Sequence, residues 1–332
     1  MNDFGPIIKE INDAYRVLIF THTSMDGDAA GSSLALCRTI RAMGKAAFIV
    51  LEDDYPEYLE FIRDEMGGMP YYLPEAPYTA DLAIAVDLSS EDRLEARKEA
   101  FFAAKRRVCI DHHLGDCSFV DEGVIDPSAS AAALLVLEMF EQGGIAIDKK
   151  SAECLYVGIL TDTGSFRYSN CDKRTMEAVS RLYDYGIDNA ELCSAVYDNY
   201  PLAQLQLESL ALERIQIFAS GEGCISWCTI EDLERLNAKY EYADTCIDRI
   251  RSVSGVEMAA FVKEKQPGVF KVSLRAKSYG DVNTVAMYFG GGGHKKASGC
   301  TMNGTLDDVL SKMSEAMAAM LKIQHARIFD HK

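Results

Sequence analysis

Residues 81–89 read DLAIAVDLS, and this stretch decides the fold of the first half of the chain. An unbroken apolar run leads to Asp87, which predicts a strand buried on both faces, as in parallel sheets. Similar runs occur at 15–21 (YRVLIFT), 46–52 (AAFIVLE) and 106–111 (RRVCID). Amphipathic stretches separate them and predict helices, among them 56–68 and 91–105. We therefore expect an α/β fold with a doubly wound, mainly parallel sheet and right-handed crossovers.

Polar residues follow three of these runs, at the point where each strand is expected to end. They are His22, Asp87, and the trio Asp111, His112 and His113. Because the carboxyl ends of parallel strands meet at one edge of a sheet, and ligands collect there, we expect these side chains to converge. Asp26 and Asp28 follow His22 closely, and residues 21–33 contain no Lys or Arg. The positive charge must therefore come from outside this segment.

A further carboxylate lies in TDTGSFRYSN (161–170), where Gly164 is expected to end a helix just after Asp162. Carboxylates outnumber imidazoles in this candidate set, and no cysteine joins it. This mixture excludes a Cys-rich tetrahedral zinc site and suits Mn²⁺, Fe²⁺, Co²⁺ or Zn²⁺ better than Ca²⁺. Two divalent ions about 3.5–4 Å apart would neutralise the crowded carboxylates and activate water.

The second half of the chain predicts a smaller α+β domain, with strands at 225–230, 256–265 and 269–277. We expect domains at 1–186 and 211–332 and a helical linker at 187–210. In YFGGGGHKKASG, residues Gly291, Gly292 and Gly293 form either a flexible turn or a phosphate cradle next to His294. Asn283 is either a nucleoside or phosphate contact or a helix cap.

Five motifs in order resemble those of a known family. They are H-x-x-x-D-x-D-x-x-G-S from His22, the strand-ending Asp87, D-H-H at 111–113, T-D-T-G at 161–164, and GGGGHKKASG at 290–299. This series resembles the DHH phosphoesterase superfamily with its C-terminal DHHA1 domain. One departure is Leu88, where many relatives carry a Thr, and this affects a supporting hydrogen bond rather than a ligand.

The resemblance implies a role for each matching residue. One ion would be held by His22, Asp26 and Asp87. The other would be held by Asp28, Asp87, His112 and Asp162. Asp87 would bridge the two ions, and Asp111 would orient His112 from behind. His113 would face the substrate phosphate, while Arg275 and His294 would bind it from the second domain.

We therefore expect metal-assisted hydrolysis of a phosphate ester, with two divalent ions, Mn²⁺ foremost, and with His113 and His294 as catalytic groups. The compact two-domain form resembles the nano-RNase and pAp-phosphatase group, which degrades oligonucleotides of a few residues and dephosphorylates adenosine 3′,5′-bisphosphate. One alternative is a cyclic-dinucleotide or linear-dinucleotide phosphodiesterase. Another is a nucleotide-binding regulator with an inert metal site, which the intact candidate ligands argue against.

Charge and composition limit the partners. A net charge of −17 argues against binding of long nucleic acid, so short oligonucleotides or nucleotides are the expected substrates. No signal peptide and no apolar run of about 20 residues is present, so we expect no membrane contact and a cytoplasmic location. The ten cysteines are scattered, which favours a reduced compartment, and several lie in apolar stretches where Cys acts as a small buried side chain, namely Cys37, Cys109 and Cys154. The resemblance also suggests a homodimer.

Overall fold

The computed structural model describes residues 2–52, 55–63, 80–88, 90–115 and 117–329. The chain divides into two compact units, Met1–Asn199 and Tyr200–Lys332. The segment expected to be a linker, 187–210, is largely helical and belongs to both units. Leu192 is buried in the core of the first unit, and Leu207 is buried in a core of the second.

The described part of the first unit holds five parallel strands with helices around them. The strands are β1 (Arg16–Phe20), β2 (Ala46–Val50), β3 (Leu82–Val86), β4 (Arg106–Asp111) and β5 (Glu122–Ile125). The α-helices are α1 (Gly5–Asp13), α2 (Gly27–Ala42), α3 (Lys98–Phe102), α4 (Ala132–Gln142), α5 (Lys149–Asp162), α6 (Lys173–Tyr183) and α7 (Asn189–Tyr197). The strand order is β2-β1-β3-β4-β5, which confirms the doubly wound parallel sheet.

Both faces of this sheet are buried, which explains why its central strands read as unbroken apolar runs. Ile19, Ile84 and Ile110 lie in a core that includes residues of α2, α4 and α5. Their neighbours Phe20 and Ala85 lie in a second core on the opposite face. Side chains alternate between faces along a strand, so burial of both faces removes the usual alternation of polar and apolar residues.

Two of the predicted helices begin as 3₁₀ helices rather than as α-helices. The helix expected over 91–105 begins as a 3₁₀ helix, Glu91–Arg97, and only Lys98–Phe102 is α-helical, because Glu95 has a φ of 47° and interrupts it. The helix expected over 56–68 is a 3₁₀ helix at Glu57–Ile62, and most of its remainder lies outside the described residues.

Helices α2 and α5 approach each other closely through glycines. A Cβ added at Gly31 would lie 2.2 Å from the carbonyl oxygen of Cys154, and one at Gly27 would lie 2.2 Å from Thr161 Oγ1. Any larger residue would therefore push the two helices apart. This packing brings the N-terminus of α2, with its two aspartates, next to Asp162 at the end of α5.

The expectation that Cys109 is only a small buried side chain was wrong. Cys109 of β4 forms a disulfide with Cys117, and their Cα atoms are 6.5 Å apart. On the adjacent strand, a Cβ added at Gly123 would lie 3.3 Å from the Cβ of Cys117, so the glycine leaves room for the pair. The spacing of the cysteines carried no such signal. Cys37 and Cys154 are buried, as expected.

The second unit is a mixed sheet with helices, which confirms the smaller α+β domain. Its strands are β6 (Gln216–Phe218), β7 (Gly223–Cys228), β8 (Met258–Gln266), β9 (Val269–Ala276), β10 (Gly292–His294) and β11 (Ala297–Asn303). Its α-helices are α8 (Leu202–Glu213), α9 (Ile230–Leu236), α10 (Cys246–Arg251), α11 (Val282–Tyr288) and α12 (Leu306–Phe329). The strand order is β10-β11-β9-β8-β7-β6, and only β7 and β8 pair in parallel.

Helix α12 is 24 residues long, the length of a membrane span, but its first turn already carries Asp307 and Asp308. Throughout the described ranges, no helix combines the length and the apolar character that crossing a membrane requires.

Candidate metal centre

The candidate ligands lie at the carboxyl edge of the parallel sheet, where β1 and β3 are adjacent and the strand order reverses. Such reversal points open a crevice in doubly wound folds. His22 follows β1, Asp87 follows β3, and Asp111 ends β4 just before His112 and His113. Helices supply the rest: Asp26 caps α2, Asp28 lies in its first turn, and Asp162 is the last residue of α5.

One group of potential ligands consists of His22, Asp26 and Asp87. The Nε2 atom of His22 lies 3.6 Å from Asp26 Oδ2 and 3.4 Å from Asp87 Oδ2. One ligand atom from each of the three residues falls within 4.8 Å of the others, which is close enough to surround a single cation.

A second group consists of Asp28, His112 and Asp162, and its ligand atoms also lie within 4.8 Å of one another. His112 Nε2 is 3.7 Å from Asp28 Oδ2 and 3.7 Å from Asp162 Oδ2. Asp87 stands between the two groups, because its Oδ1 is 3.6 Å from His112 Nε2 while its Oδ2 faces His22. One carboxylate therefore offers an oxygen to each group.

Backbone groups fix the direction of these side chains. His22 Nδ1 is 2.7 Å from the carbonyl oxygen of Thr23, and His112 Nδ1 is 3.3 Å from that of Ala129. Each ring therefore turns its Nε2 toward the carboxylates, as metal-binding histidines do. Asp26 is held differently, since its Oδ1 accepts hydrogen bonds from the backbone N–H groups of Asp28 and Ala29.

The support of Asp28 was not foreseen from the sequence. Its Oδ2 and Oδ1 accept hydrogen bonds from the first N–H groups of α4, those of Ala132 at 2.6 Å and Ala133 at 2.9 Å. A helix N-terminus stabilises a carboxylate in this way. On the other side, a Cβ at Gly158 would lie 3.0 Å from Asp28 Oδ1, so the glycine leaves space for the carboxylate.

Asp111 contacts His113 and not His112, the partner that the resemblance implied. Asp111 Oδ1 accepts a hydrogen bond from the backbone N–H of His113 and lies 2.9 Å from His113 Nδ1. It therefore orients His113, while the Nδ1 of His112 faces Ala129 instead. Together with Asp87, Asp111 raises the pKa of His113 to about 9, so this imidazole carries a proton at neutral pH.

The carboxylates also hold protons on the other two histidines. Burial by itself would lower the pKa of His22, but Asp26 and Asp87 outweigh it and raise the pKa to about 11. Burial likewise opposes the charged form of His112, whose pKa Asp87 and its neighbouring carboxylates raise to about 10. Both imidazoles therefore compensate the surrounding negative charge by binding protons.

The pKa values of the buried carboxylates shift in different directions. Burial raises the pKa of Asp162 to about 6, and burial with the charge of Asp87 raises the pKa of Asp28. Burial works the same way on Asp87, but the histidines outweigh it and hold the pKa of Asp87 well below its usual range. Five carboxylates, those of Asp26, Asp28, Asp87, Asp111 and Asp162, therefore meet three imidazoles, those of His22, His112 and His113.

The described residues fit divalent cations. Asp111 Oδ2 is buried and has no hydrogen-bond partner in the part of the chain that the structure describes. Asp87 Oδ1 is buried too, and although it lies 3.3 Å from His113 Nδ1 and 3.6 Å from His112 Nε2, neither contact has hydrogen-bond geometry. Burying an oxygen without a partner costs free energy unless a cation or a hydrogen-bond donor binds it. Asp87 also has a φ of 55°, a conformation that costs a non-glycine residue about 1–3 kcal/mol and is typical of functional sites. The cluster can therefore bind metal ions.

In the second unit, register places Arg275 and His294 on one face of the sheet. Ala297 of β11 pairs with Arg275 of β9 on one side and with His294 of β10 on the other. Directly opposed residues point to the same face, so the two basic side chains flank a small alanine, with Cα atoms roughly 10 Å apart. Ser273 lies on this face too, two residues before Arg275. We call Ser273, Arg275, His294 and Ala297 the polar sheet face.

The glycine run is a tight β-hairpin rather than a loose turn. Gly292 and Gly293 belong to β10, and a Cβ at Gly291 would lie 2.1 Å from the carbonyl oxygen of Gly299. The N–H of Gly291 donates to the carbonyl of Ala286 and so helps to end α11. Close packing therefore accounts for Gly291 and for Gly293, where an added Cβ would lie 2.7 Å from the carbonyl oxygen of Ala297. The N–H of Gly291 is already engaged.

Asp281 and Lys296, which lie before and after α11, have structural roles. Asp281, not Asn283, caps α11, which excludes the capping interpretation of Asn283. The Oδ1 of Asn283 is buried and has no hydrogen-bond partner among the described residues. Lys296 donates to the carbonyl oxygens of Ser278 and Gly280 and so holds the turn before α11.

Relatives with known names match most of this chain. A bifunctional oligoribonuclease and PAP phosphatase NrnA from Thermus thermophilus is 31% identical over 303 residues, which cover 91% of this chain and 89% of the relative. A protein of the same name from Bacillus subtilis is 24% identical and covers 89% of this chain and 92% of its own length.

A solved structure agrees with the described fold. The crystal structure of an exopolyphosphatase-related protein from Bacteroides fragilis has a TM-score of 0.89 and 25% identity, and the match covers 96% of each chain. Among family models, the DHH family N-terminal domain matches residues 16–159 and the DHHA1 domain matches residues 229–322. The chain therefore belongs to the DHH family with a C-terminal DHHA1 domain.

Proposed function

We propose that this chain is a metal-dependent phosphoesterase that hydrolyses oligonucleotides of a few residues and adenosine 3′,5′-bisphosphate to nucleoside monophosphates. The observation that carries the proposal is the position of Asp87, whose two oxygens face two separate groups of potential ligands. A carboxylate shared in this way suits a two-ion centre. The substrate class is supported by the names of the relatives, which align with nearly the whole chain.

Two divalent ions, Mn²⁺ in the first instance, would occupy the centre. His22, Asp26 and Asp87 would hold one ion, and Asp28, Asp87, His112 and Asp162 would hold the other. Mixed imidazole and carboxylate ligands suit Mn²⁺, Fe²⁺, Co²⁺ and Zn²⁺. When bound, such a pair supplies Lewis-acid stabilisation of phosphoryl oxygens and lowers the pKa of water. The same ions would bind the buried Oδ1 atom of Asp87, which has no hydrogen bond among the described residues.

His113 would act as the proton-transfer group of the chain itself. Asp111 fixes the ring through Nδ1 and through the backbone N–H, so the orientation of Nε2 is also fixed. In the metal-free protein Asp111 and Asp87 raise the pKa of His113 to about 9, and this ring would donate a proton to the leaving oxygen. The same positive charge would stabilise a phosphate bound next to it.

The polar sheet face of the second unit would bind substrate phosphate. Arg275 offers a planar guanidinium that matches phosphate oxygens, and His294 supplies a second donor on the same face. Ala297 between them leaves the sheet shallow enough for an anion to approach. An anionic substrate of a few residues needs only such a local site, despite the net charge of −17 on the chain.

The proposal is tested by product analysis with purified protein and Mn²⁺. Separate reactions contain a linear dinucleotide, adenosine 3′,5′-bisphosphate, cyclic di-AMP or pyrophosphate, and a chelated sample is the control. We expect mononucleotide from the first two substrates and no product after chelation. Turnover of cyclic di-AMP alone would indicate the cyclic-dinucleotide alternative. If no phosphoester is cleaved, the regulator alternative is favoured and the proposal fails.

A further inference from the structure

The chain turns back on itself immediately after Asp162. Gly164, Ser165 and Phe166 all have positive φ angles, of 54°, 62° and 62°. The turn is closed by a hydrogen bond from Ser165 N–H to the carbonyl oxygen of Leu160, at 2.8 Å. Three left-handed residues in succession reverse the chain tightly. As a result, the side chain of Asn170 returns to the end of α5.

The amide of Asn170 joins two parts of the first unit. Its Nδ2 lies 3.1 Å from the carbonyl oxygen of Asp162 and 3.1 Å from that of Ser130. A side-chain amide has two N–H donors, so both are used on backbone carbonyls. The Oδ1 atom is buried and has no hydrogen-bond partner within the described ranges. These two donated bonds therefore set the orientation of the amide.

Ser130 lies within the segment that supports two other candidate ligands. The residue before it, Ala129, offers its carbonyl oxygen to His112 Nδ1 at 3.3 Å. Shortly after it, the N–H groups of Ala132 and Ala133 bind the carboxylate of Asp28. Asn170 therefore connects Asp162 to the segment that orients His112 and Asp28.

We infer that Asn170 is a positioning residue for one half of the metal centre, the group Asp28, His112 and Asp162. This inference rests on the proposed function. The other group has separate supports, because His22 is oriented by Thr23 and Asp26 by the N-terminus of α2. Loss of the Asn170 amide should therefore weaken one metal position and leave the other intact.

The test is a Mn²⁺ binding isotherm of metal-free protein, measured by equilibrium dialysis for the wild type, Asn170→Ala and Asn170→Asp. We expect Asn170→Ala to weaken one of the two sites by about 10–100-fold, the usual effect of losing a group that orients ligands. Asn170→Asp should weaken it further, since a carboxylate would face two carbonyl oxygens. Asn170→Ser, which retains a donor, should fall between wild type and Asn170→Ala.

The matched control is Asn2→Ala, which removes an amide 2.9 Å from Asp126 Oδ2, outside the two ligand groups. Both sites of Asn2→Ala should bind Mn²⁺ with the wild-type affinities. A kinetic readout is the Mn²⁺ concentration for half-maximal hydrolysis, which should rise in Asn170→Ala while the KM for substrate stays constant at saturating metal.

The outcomes separate this inference from the proposed function. If wild-type protein binds no Mn²⁺, the proposed function fails and the inference fails with it. If the wild type binds two ions and Asn170→Ala has the same isotherm, only the inference is overturned. Equal weakening of both sites together with a lower Tm would indicate a general structural role and would also overturn it.

Discussion

The two units of this chain place charge in opposite ways. At the carboxyl edge of the first sheet, Asp28, Asp87 and Asp111 are at most 1% exposed and lie among further carboxylates and imidazoles. On the polar sheet face of the second unit, Arg275 is half-buried and His294 is exposed. Buried like charges are unfavourable unless a counter-ion neutralises them, whereas water stabilises an exposed charge.

This difference assigns different tasks to the two regions. We propose that the buried carboxylates bind cations, so changes there should alter metal uptake and the chemical step together. We propose that the polar sheet face binds an anion, so changes there should alter substrate binding and leave metal uptake intact. Each of the following variants tests one side of this comparison.

The largest effect is expected for Asp87→Asn. The amide keeps the shape of the side chain but removes the charge that both ligand groups share, so kcat/KM should fall by at least about 10³-fold. The measurement is dinucleotide hydrolysis at saturating Mn²⁺. Asp81 lies just before the first residue of β3, at the opposite end of the strand from Asp87. Asp81→Asn is therefore the matched control, and its kcat/KM should stay within about twofold of the wild-type value. Full activity in Asp87→Asn would refute the shared role.

His113→Gln should have the next largest effect. Loss of a proton donor lowers kcat by about 10²–10⁴-fold. Mn²⁺ binding should be unchanged, because His113 is placed as a proton donor and not as a ligand. The two measurements are steady-state kinetics and the binding isotherm of the same preparation. Loss of a metal site in this variant would instead identify His113 as a ligand.

Arg275→Ala should raise the KM for a dinucleotide by about 10–100-fold, the worth of one or two charge-assisted hydrogen bonds. Both kcat and Mn²⁺ uptake should change little. Lys265→Ala removes one positive charge from an exposed position of β8 and serves as the control. An unchanged KM in Arg275→Ala would remove the polar sheet face from substrate binding.

Metal uptake should also depend on pH. In metal-free protein the pKa of His22 is about 11 and that of His112 about 10, so both rings are protonated at neutral pH. A metal ion must displace such a proton, so affinity should rise with pH, by about tenfold per unit for each proton released. Isotherms from about pH 6 to about pH 8 measure this slope. A slope of zero would contradict the ligand roles of the histidines.

The parallel sheet and the positions of its polar residues were predictable from the sequence. Strands buried on both faces leave unbroken apolar runs, and His22, Asp87 and Asp111 mark the ends of three of them. Strand β5 was missed because EGVI is short and only Val124 is buried. The glycine run was ambiguous because a flexible turn and a phosphate cradle call for the same residues, and the tight hairpin was not predicted.

The supports of the site could not be predicted. Asp28 is held by backbone N–H groups of α4, and the sequence of that helix start carries no signal for a distant carboxylate. Asp111 contacts His113 rather than His112 because side-chain alternation stops where the strand ends, so neighbouring rings turn in unforeseen directions. Asn170 reaches Asp162 only through a turn of left-handed residues, of which Gly164 alone is marked in the sequence.

The central claim is that carboxylates and imidazoles at one sheet edge hold a pair of divalent cations. The most direct measurement is the number of Mn²⁺ ions bound per chain by metal-free protein at equilibrium, with Asp87→Asn measured in parallel. Two ions in the wild type and fewer in the variant are expected. If the wild type binds no more Mn²⁺ ions per chain than Asp87→Asn does, the claim is contradicted.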